Sequence, residues 1–127
     1  MPLKARCHCG ATQFEVDAAP ESVTSCNCSY CYRLGGLWAY YAPEAFRLTT
    51  ARDRAATYQF GTYTGEHHHC AICGCKTWSE SLDWRGYKPG DPFPTARLVG
   101  VNARLFDPED LDLKGVPVIE VDGRAGW

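Results

Sequence analysis

All eight cysteines of this 127-residue chain fall into three short groups, and that grouping limits what the chain can fold into more than any other feature. Cys7 and Cys9 form C-x-C, Cys26, Cys28 and Cys31 form C-x-C-x-x-C, and Cys70, Cys73 and Cys75 form C-x-x-C-x-C. Thiolates two or three positions apart can turn toward one ion, and four of them make the soft tetrahedral shell that zinc accepts. Two half-sites complete one such shell and leave a triplet over, so the count suggests two sites. A closed four-ligand zinc is structural, whereas three protein ligands leave a position for water or substrate. Cys26, Cys28 and Cys31 read as the open site. Cys7, Cys9, Cys70 and Cys73 would then be the closed one, with Cys75 spare, but spacing alone leaves that pairing open.

An even cysteine count also suits disulfides, and in a secreted chain it would suggest a stapled fold. The start Met1-Pro2-Leu3-Lys4-Ala5-Arg6 runs into Cys7 with no apolar stretch and no cleavage site. The expectation is therefore a cytoplasmic protein, where clustered cysteines bind metal more often than they pair. The spacings differ from the common ferredoxin run of iron–sulfur ligands. Cys28-Ser29-Tyr30-Cys31 matches C-x-x-C, but a thioredoxin-like motif needs a βαβ context that this chain does not supply.

A formal net charge of −2 and no basic patch argue against a nucleic-acid partner. No stretch approaches the roughly 20 apolar residues of a membrane helix. The length suits one domain over residues 1–127, with metal supplementing its core. Tyr and Trp are plentiful, Met is nearly absent, and Gly and Pro punctuate the chain, a profile of short strands and tight turns. Strands are predicted over 11–16, 37–42, 47–49, 56–60, 77–82, 97–102 and 116–121, the last an edge strand because of Pro117. Asp107-Pro108 is the best helix start, an acceptor at the cap and proline at the first helical position, and predicts a short helix over 108–113. The tail 122–127 reads as loosely held, with Trp127 the residue there that invites packing.

Around the triplet, Arg33 is the candidate cation for a substrate carboxylate or a developing oxyanion. Asn27 and Ser29 alternate with ligands, and their backbone N–H groups are candidates to bond thiolate sulfur. Tyr32, Trp38 and Tyr41 are candidate pocket walls, although aromatics at this density usually pack a core. His67, His68 and His69 precede Cys70, and in a strand neighbours face opposite ways, so at most one or two can reach one site.

The order Cys7-His8-Cys9-Gly10, then Cys26-Asn27-Cys28-Ser29-Tyr30-Cys31, then Cys70-Ala71-Ile72-Cys73-Gly74 resembles the glutathione-dependent formaldehyde-activating enzyme family, which includes the centromere protein V-like domains. Gly35, Tyr58, Phe60 and Val101-Asn102-Ala103-Arg104-Leu105 with Asp107 extend the resemblance over residues 4 to about 112. Asn27 departs from it, standing where relatives often carry histidine, and so does Cys75, where a small non-ligand residue is common. The resemblance implies a mainly β, Mss4-like fold of short antiparallel strands stabilised by zinc, with one short helix near the C-terminus. It implies two zinc ions per chain: a structural one on Cys7, Cys9, Cys70 and Cys73, and a catalytic one on Cys26, Cys28 and Cys31. The activity implied is that of a carbon–sulfur lyase acting on a thiol–aldehyde adduct such as S-hydroxymethylglutathione, with glutathione or another small thiol as partner. A thiol suits an electron-rich three-thiolate zinc, because it can enter as a fourth thiolate. The competing reading is a non-catalytic structural zinc domain that binds a protein partner. A homodimer is compatible with either.

Overall fold

The computed structural model describes residues 2–126, which leaves Trp127, the tail residue expected to invite packing, outside the described residues. Ten strands form: β1 (Leu3–Arg6), β2 (Gln13–Val16), β3 (Val23–Cys26), β4 (Trp38–Tyr41), β5 (Phe46–Leu48), β6 (Ala55–Tyr58), β7 (Glu66–Cys70), β8 (Lys76–Leu82), β9 (Arg97–Asn102) and β10 (Val118–Val121). Two short α-helices accompany them, α1 (Ser29–Leu34) between β3 and β4, and α2 (Gly123–Gly126) at the C-terminal end. The strands make a three-stranded sheet in the order β1-β2-β5 and a seven-stranded sheet in the order β10-β3-β4-β9-β8-β7-β6. The fold is mainly β and antiparallel, with one parallel pair, β10 on β3.

Alternation sets the inner faces. Thr12, Phe14 and Val16 are buried while Gln13 between them is exposed, as a half-buried strand requires. Phe14 packs on Phe46 with ring centroids 5.3 Å apart, and Phe46 stacks on Trp78 of β8 at 5.8 Å. Trp78 is fully buried. Phe14, Phe46 and Trp78 therefore join the two sheets into one core, which Val99 and Val101 of β9 complete.

The expected helix over 108–113 is replaced by a turn. The Asp107 carboxylate accepts the Glu109 N–H (2.9 Å), and the Asp107 carbonyl accepts the N–H groups of both Asp110 and Leu111. The proline start is satisfied in one turn, and a 3-10 turn at Leu113–Gly115, capped by Asp112, follows at once. The short helix near the C-terminus is α2. The predicted last strand is an edge strand, as Pro117 suggested, but it runs parallel to β3.

Candidate metal centres

Cys7 and Cys9 lie in the tight turn that follows β1, closed by the Cys7 N–H to Thr12 carbonyl bond (3.0 Å) and the Gly10 N–H to Cys7 carbonyl bond (3.2 Å). Cys70 ends β7, and Cys73 sits in the turn before β8. The Cys70 N–H donates to the Cys75 carbonyl (2.9 Å) and the Gly74 N–H to the Cys70 carbonyl (3.0 Å). Gly74 takes φ +80°, a left-handed angle that residues with a Cβ resist. Such turns aim thiols and backbone N–H groups at the same point: Cys70 Sγ accepts from the N–H groups of Ile72 and Cys73, both at 3.4 Å, and Cys7 Sγ from Thr12.

The structure brings Cys7, Cys9, Cys70 and Cys73 together, with all four sulfurs within 4.8 Å of one another. Cys9 Sγ is 3.7 Å from Cys7 Sγ and 3.6 Å from Cys70 Sγ. A zinc–sulfur bond of about 2.3 Å in a tetrahedron puts sulfurs roughly 3.8 Å apart, so the residues fit that ion. The group does not join the ends of one sheet, as cysteines from distant parts of the chain might suggest. It ties the small sheet, through the turn after β1, to the β7–β8 hairpin of the large one. The Cys75 N–H, first among several donors, holds the Cys73 thiol down at about 5, which favours the thiolate a metal would take. Cys75 lies against this group, where the His8 N–H, burial and Cys73 act on its thiol.

The second group is built on α1. Cys26 ends β3, Cys28 caps the helix with its Sγ accepting the Cys31 N–H (3.3 Å), and Cys31 lies one turn in. The helix is six residues long and ends at Gly35, which takes the left-handed C-cap at φ +67°. The three sulfurs lie within 4.8 Å of one another, and among the described residues no histidine, carboxylate or fourth cysteine joins them within that spacing. The N–H donors to sulfur are those of Cys28 and Cys31, not of Asn27 and Ser29. The Asn27 N–H goes instead to the Val121 carbonyl (3.2 Å), and its side chain bonds Asp122 and Arg124, fastening β10 and α2 beside the triplet. Burial and the neighbouring Cys28 push the Cys31 thiol well up, whereas on Cys28 the N–H groups of Cys31 and Tyr30 outweigh burial and draw the thiol down.

Arg33 is exposed and donates to the Ser29 carbonyl one turn back (2.9 Å). It borders a groove of about 530 Å³ with Ser29, Tyr30, Leu34, Tyr58 and Phe60. The expected pocket walls are thus largely others. Tyr32 is exposed, Trp38 is buried near Cys31 and Lys76 rather than in the groove, and Tyr41 donates to the Ala18 carbonyl. Tyr30, half-buried and tilted against Tyr58, Phe60 and His67, was not singled out by sequence, because nothing in a C-x-x-C spacer marks which residue packs against a distant strand.

Of the histidines, His67 and His68 have defined roles. His67 Nδ1 pairs with Ser79 Oγ (3.0 Å), and burial, with Lys76 and His68 nearby, holds its pKa down at about 4. His68 is buried between Thr57 Oγ1 and a Glu80 carboxylate oxygen, each at 2.9 Å, and Glu80 also pairs with Arg52. Glu66, His68 and Glu80 approach one another as metal ligands do, but these hydrogen bonds already engage both ring nitrogens. Burial disfavours the charged His68, so its pKa in the fold lies below its unfolded value. For Glu80, burial acts upward, but bonds from His68 and Arg52 prevail and hold its carboxyl low. A lowered folded pKa means stability that is present above the unfolded value and lost as pH falls. His68 therefore weakens the fold as pH falls below about 6.5, and Glu80 only as it falls below about 4.5. Glu80→Gln should flatten the melting temperature against pH below about 4.5, read by circular dichroism, and an unchanged slope there would put that part of the acid sensitivity elsewhere.

A family model described as glutathione-dependent formaldehyde-activating enzyme matches residues 2–89, a span that holds all eight cysteines. The chain belongs to the glutathione-dependent formaldehyde-activating enzyme family. Among solved structures, a Rhodobacter sphaeroides protein from a structural genomics effort is similar at 30% identity and a TM-score of 0.67, over 92% of this chain and 100% of that one. Both cysteine clusters, which could hold metal, lie inside the matched span. Among the described residues no helix is long and apolar enough to cross a membrane.

Proposed function

We propose that this chain is a zinc-dependent carbon–sulfur lyase that interconverts a small thiol–aldehyde adduct, such as S-hydroxymethylglutathione, with its free thiol and aldehyde. The observation that carries the reading is the triplet on α1: three converging thiols with no fourth protein ligand beside them. On this reading Cys7, Cys9, Cys70 and Cys73 hold a structural zinc, and Cys26, Cys28 and Cys31 hold a second. When bound there, zinc lowers the proton affinity of a thiol at the open position and so makes sulfur a better nucleophile and leaving group.

The remaining work falls to the chain. In cleavage, the adduct hydroxyl loses its proton, the carbon–oxygen double bond forms, and the carbon–sulfur electron pair departs on sulfur. The groove beside α1 offers aromatic faces from Tyr30, Tyr58 and Phe60, and the Arg33 guanidinium at its rim suits a carboxylate of the thiol. Holding thiol and aldehyde in one groove replaces a bimolecular encounter by an oriented one. We place the reaction in the cytoplasm.

The test is zinc per chain by elemental analysis, together with exchange of labelled formaldehyde between free and glutathione-bound forms, followed by nuclear magnetic resonance. Two zincs and accelerated exchange are expected. Arg33→Ala should raise KM for glutathione roughly tenfold, the scale of one charge-assisted contact, with both metals retained. Two zincs with no acceleration for any small thiol would favour a zinc-stabilised domain that binds a protein.

A further inference from the structure

We propose that Lys76 is a positioning residue of the triplet site, its ammonium selecting an anionic, thiolate-type occupant for the position that the three cysteines leave. The inference rests on the reading of that triplet as an open metal site. Lys76 opens β8 and is only 9% exposed, two positions before the buried Trp78. Its Nζ donates to the Trp78 carbonyl (3.1 Å) and to Ser79 Oγ (2.9 Å), and the ammonium has three donors, so one remains. Ser79 in turn meets His67 Nδ1, which fixes the lysine end from behind.

What Lys76 lacks is a carboxylate. Arg47, Arg52 and Arg85 each pair with one, whereas among the described residues no acidic group lies within ion-pair distance of Lys76. A buried cation without an anion is costly, so such groups are found paired. The anionic partner at hand is the triplet. Nζ lies 5.9 Å from the ring centres of both Tyr30 and Trp38, and while burial draws the Lys76 pKa down to about 7, negative charge on Cys31 opposes that shift and favours the ammonium. Tyr30 is the residue before Cys31. The Trp38 Nε1 is buried without a hydrogen-bond partner, and the indole lies near enough to Cys31 to oppose the upward push of burial on its thiol. The lysine, the indole N–H and Cys31 thus share one enclosure.

Charge then decides what that enclosure accepts. Three thiolates on a divalent ion leave a net −1, and a fourth thiolate makes it −2, which an ammonium within several ångströms offsets in a low-dielectric surround. A neutral ligand gains nothing comparable. Lys76 therefore discriminates by charge at the open position without binding the metal, and Lys76→Met removes that discrimination while keeping the chain length of the side chain.

The experiment uses cobalt(II)-loaded protein, whose visible ligand-field bands report the fourth ligand, titrated with 2-mercaptoethanol and, separately, with imidazole. In Lys76→Met, with two metals per chain retained, the Kd for 2-mercaptoethanol should rise roughly tenfold or more, as loss of one partly buried unit charge implies. Imidazole binding should change less than about twofold, since a neutral ligand does not feel that charge. Lys76→Arg should restore thiolate binding, and Lys76→Gln serves as a second neutral variant. Equal weakening for both ligands, no weakening for either, or failure of both neutral variants to fold would overturn the proposal in favour of a structural lysine. A wild type that binds metal at the triplet but takes up no thiol would instead overturn the open-site reading on which it rests.

Discussion

Cys70→Ala should unfold this chain. Cys70 is 1% exposed, ends β7, and its sulfur accepts two backbone N–H groups while standing 3.6 Å from Cys9 Sγ. Removing it leaves those donors unpaired and breaks the four-thiol group that ties the two sheets. A structural zinc contributes about 10–16 kcal/mol of apparent binding energy in zinc-finger peptides, against about 5–15 kcal/mol for the net stability of a whole domain. Loss of the site is therefore on the scale of the entire fold. The expected result is loss of both metals and of the cooperative melt, and a strong chelator should act on the wild type in the same way. A folded, metal-free Cys70→Ala protein would show that the sheets hold without the clasp.

Cys28→Ser should do the opposite, abolishing chemistry and sparing the fold. Serine is itself a good N-cap, so the Cys31 N–H that Cys28 Sγ accepts keeps an acceptor and α1 keeps its start. No residue of α1 is buried, so little core depends on it. Zinc should drop from two per chain to one. Turnover should fall at least about 100-fold, because losing even an outer-shell partner of a metal site costs roughly 10–100-fold. The melt should move by only a few degrees, as expected for about 1 kcal/mol in a domain of this size. Two retained zincs, or collapse of the fold, would return the triplet to a structural role.

Much of this was legible in the residues. The strands expected over 11–16, 77–82 and 97–102 are present, the first with one buried face and the other two with runs of consecutive buried residues. Local rules failed where a distant neighbour decided the outcome. Asp107-Pro108 begins a helix by every local sign, yet its first turn is spent in a turn and the chain moves straight on. β1 and β7 were missed because Leu3–Arg6 and Glu66–Cys70 are polar segments that become strands by pairing with partners already in place. Lys76 did carry a signal: it lies in alternation with Trp78, the most buried side chain of its strand, where a lysine is out of place. Lys76, Thr77 and Trp78 are all buried in succession, opposite the register irregularity between His67 and His69.

The spacing of the cysteines determined that this chain has two thiol clusters and which residue types build them, since ligand chemistry is a local property of side chains two or three positions apart. That Cys7 and Cys9 meet Cys70 and Cys73, that Cys75 stands beside that group, and that Lys76 is buried without a carboxylate were decided by tertiary structure. Those facts depend on how β1, α1 and the β7–β8 hairpin meet. That meeting is set by the packing of Phe14, Phe46 and Trp78 between the sheets, residues that are far apart from one another in the chain.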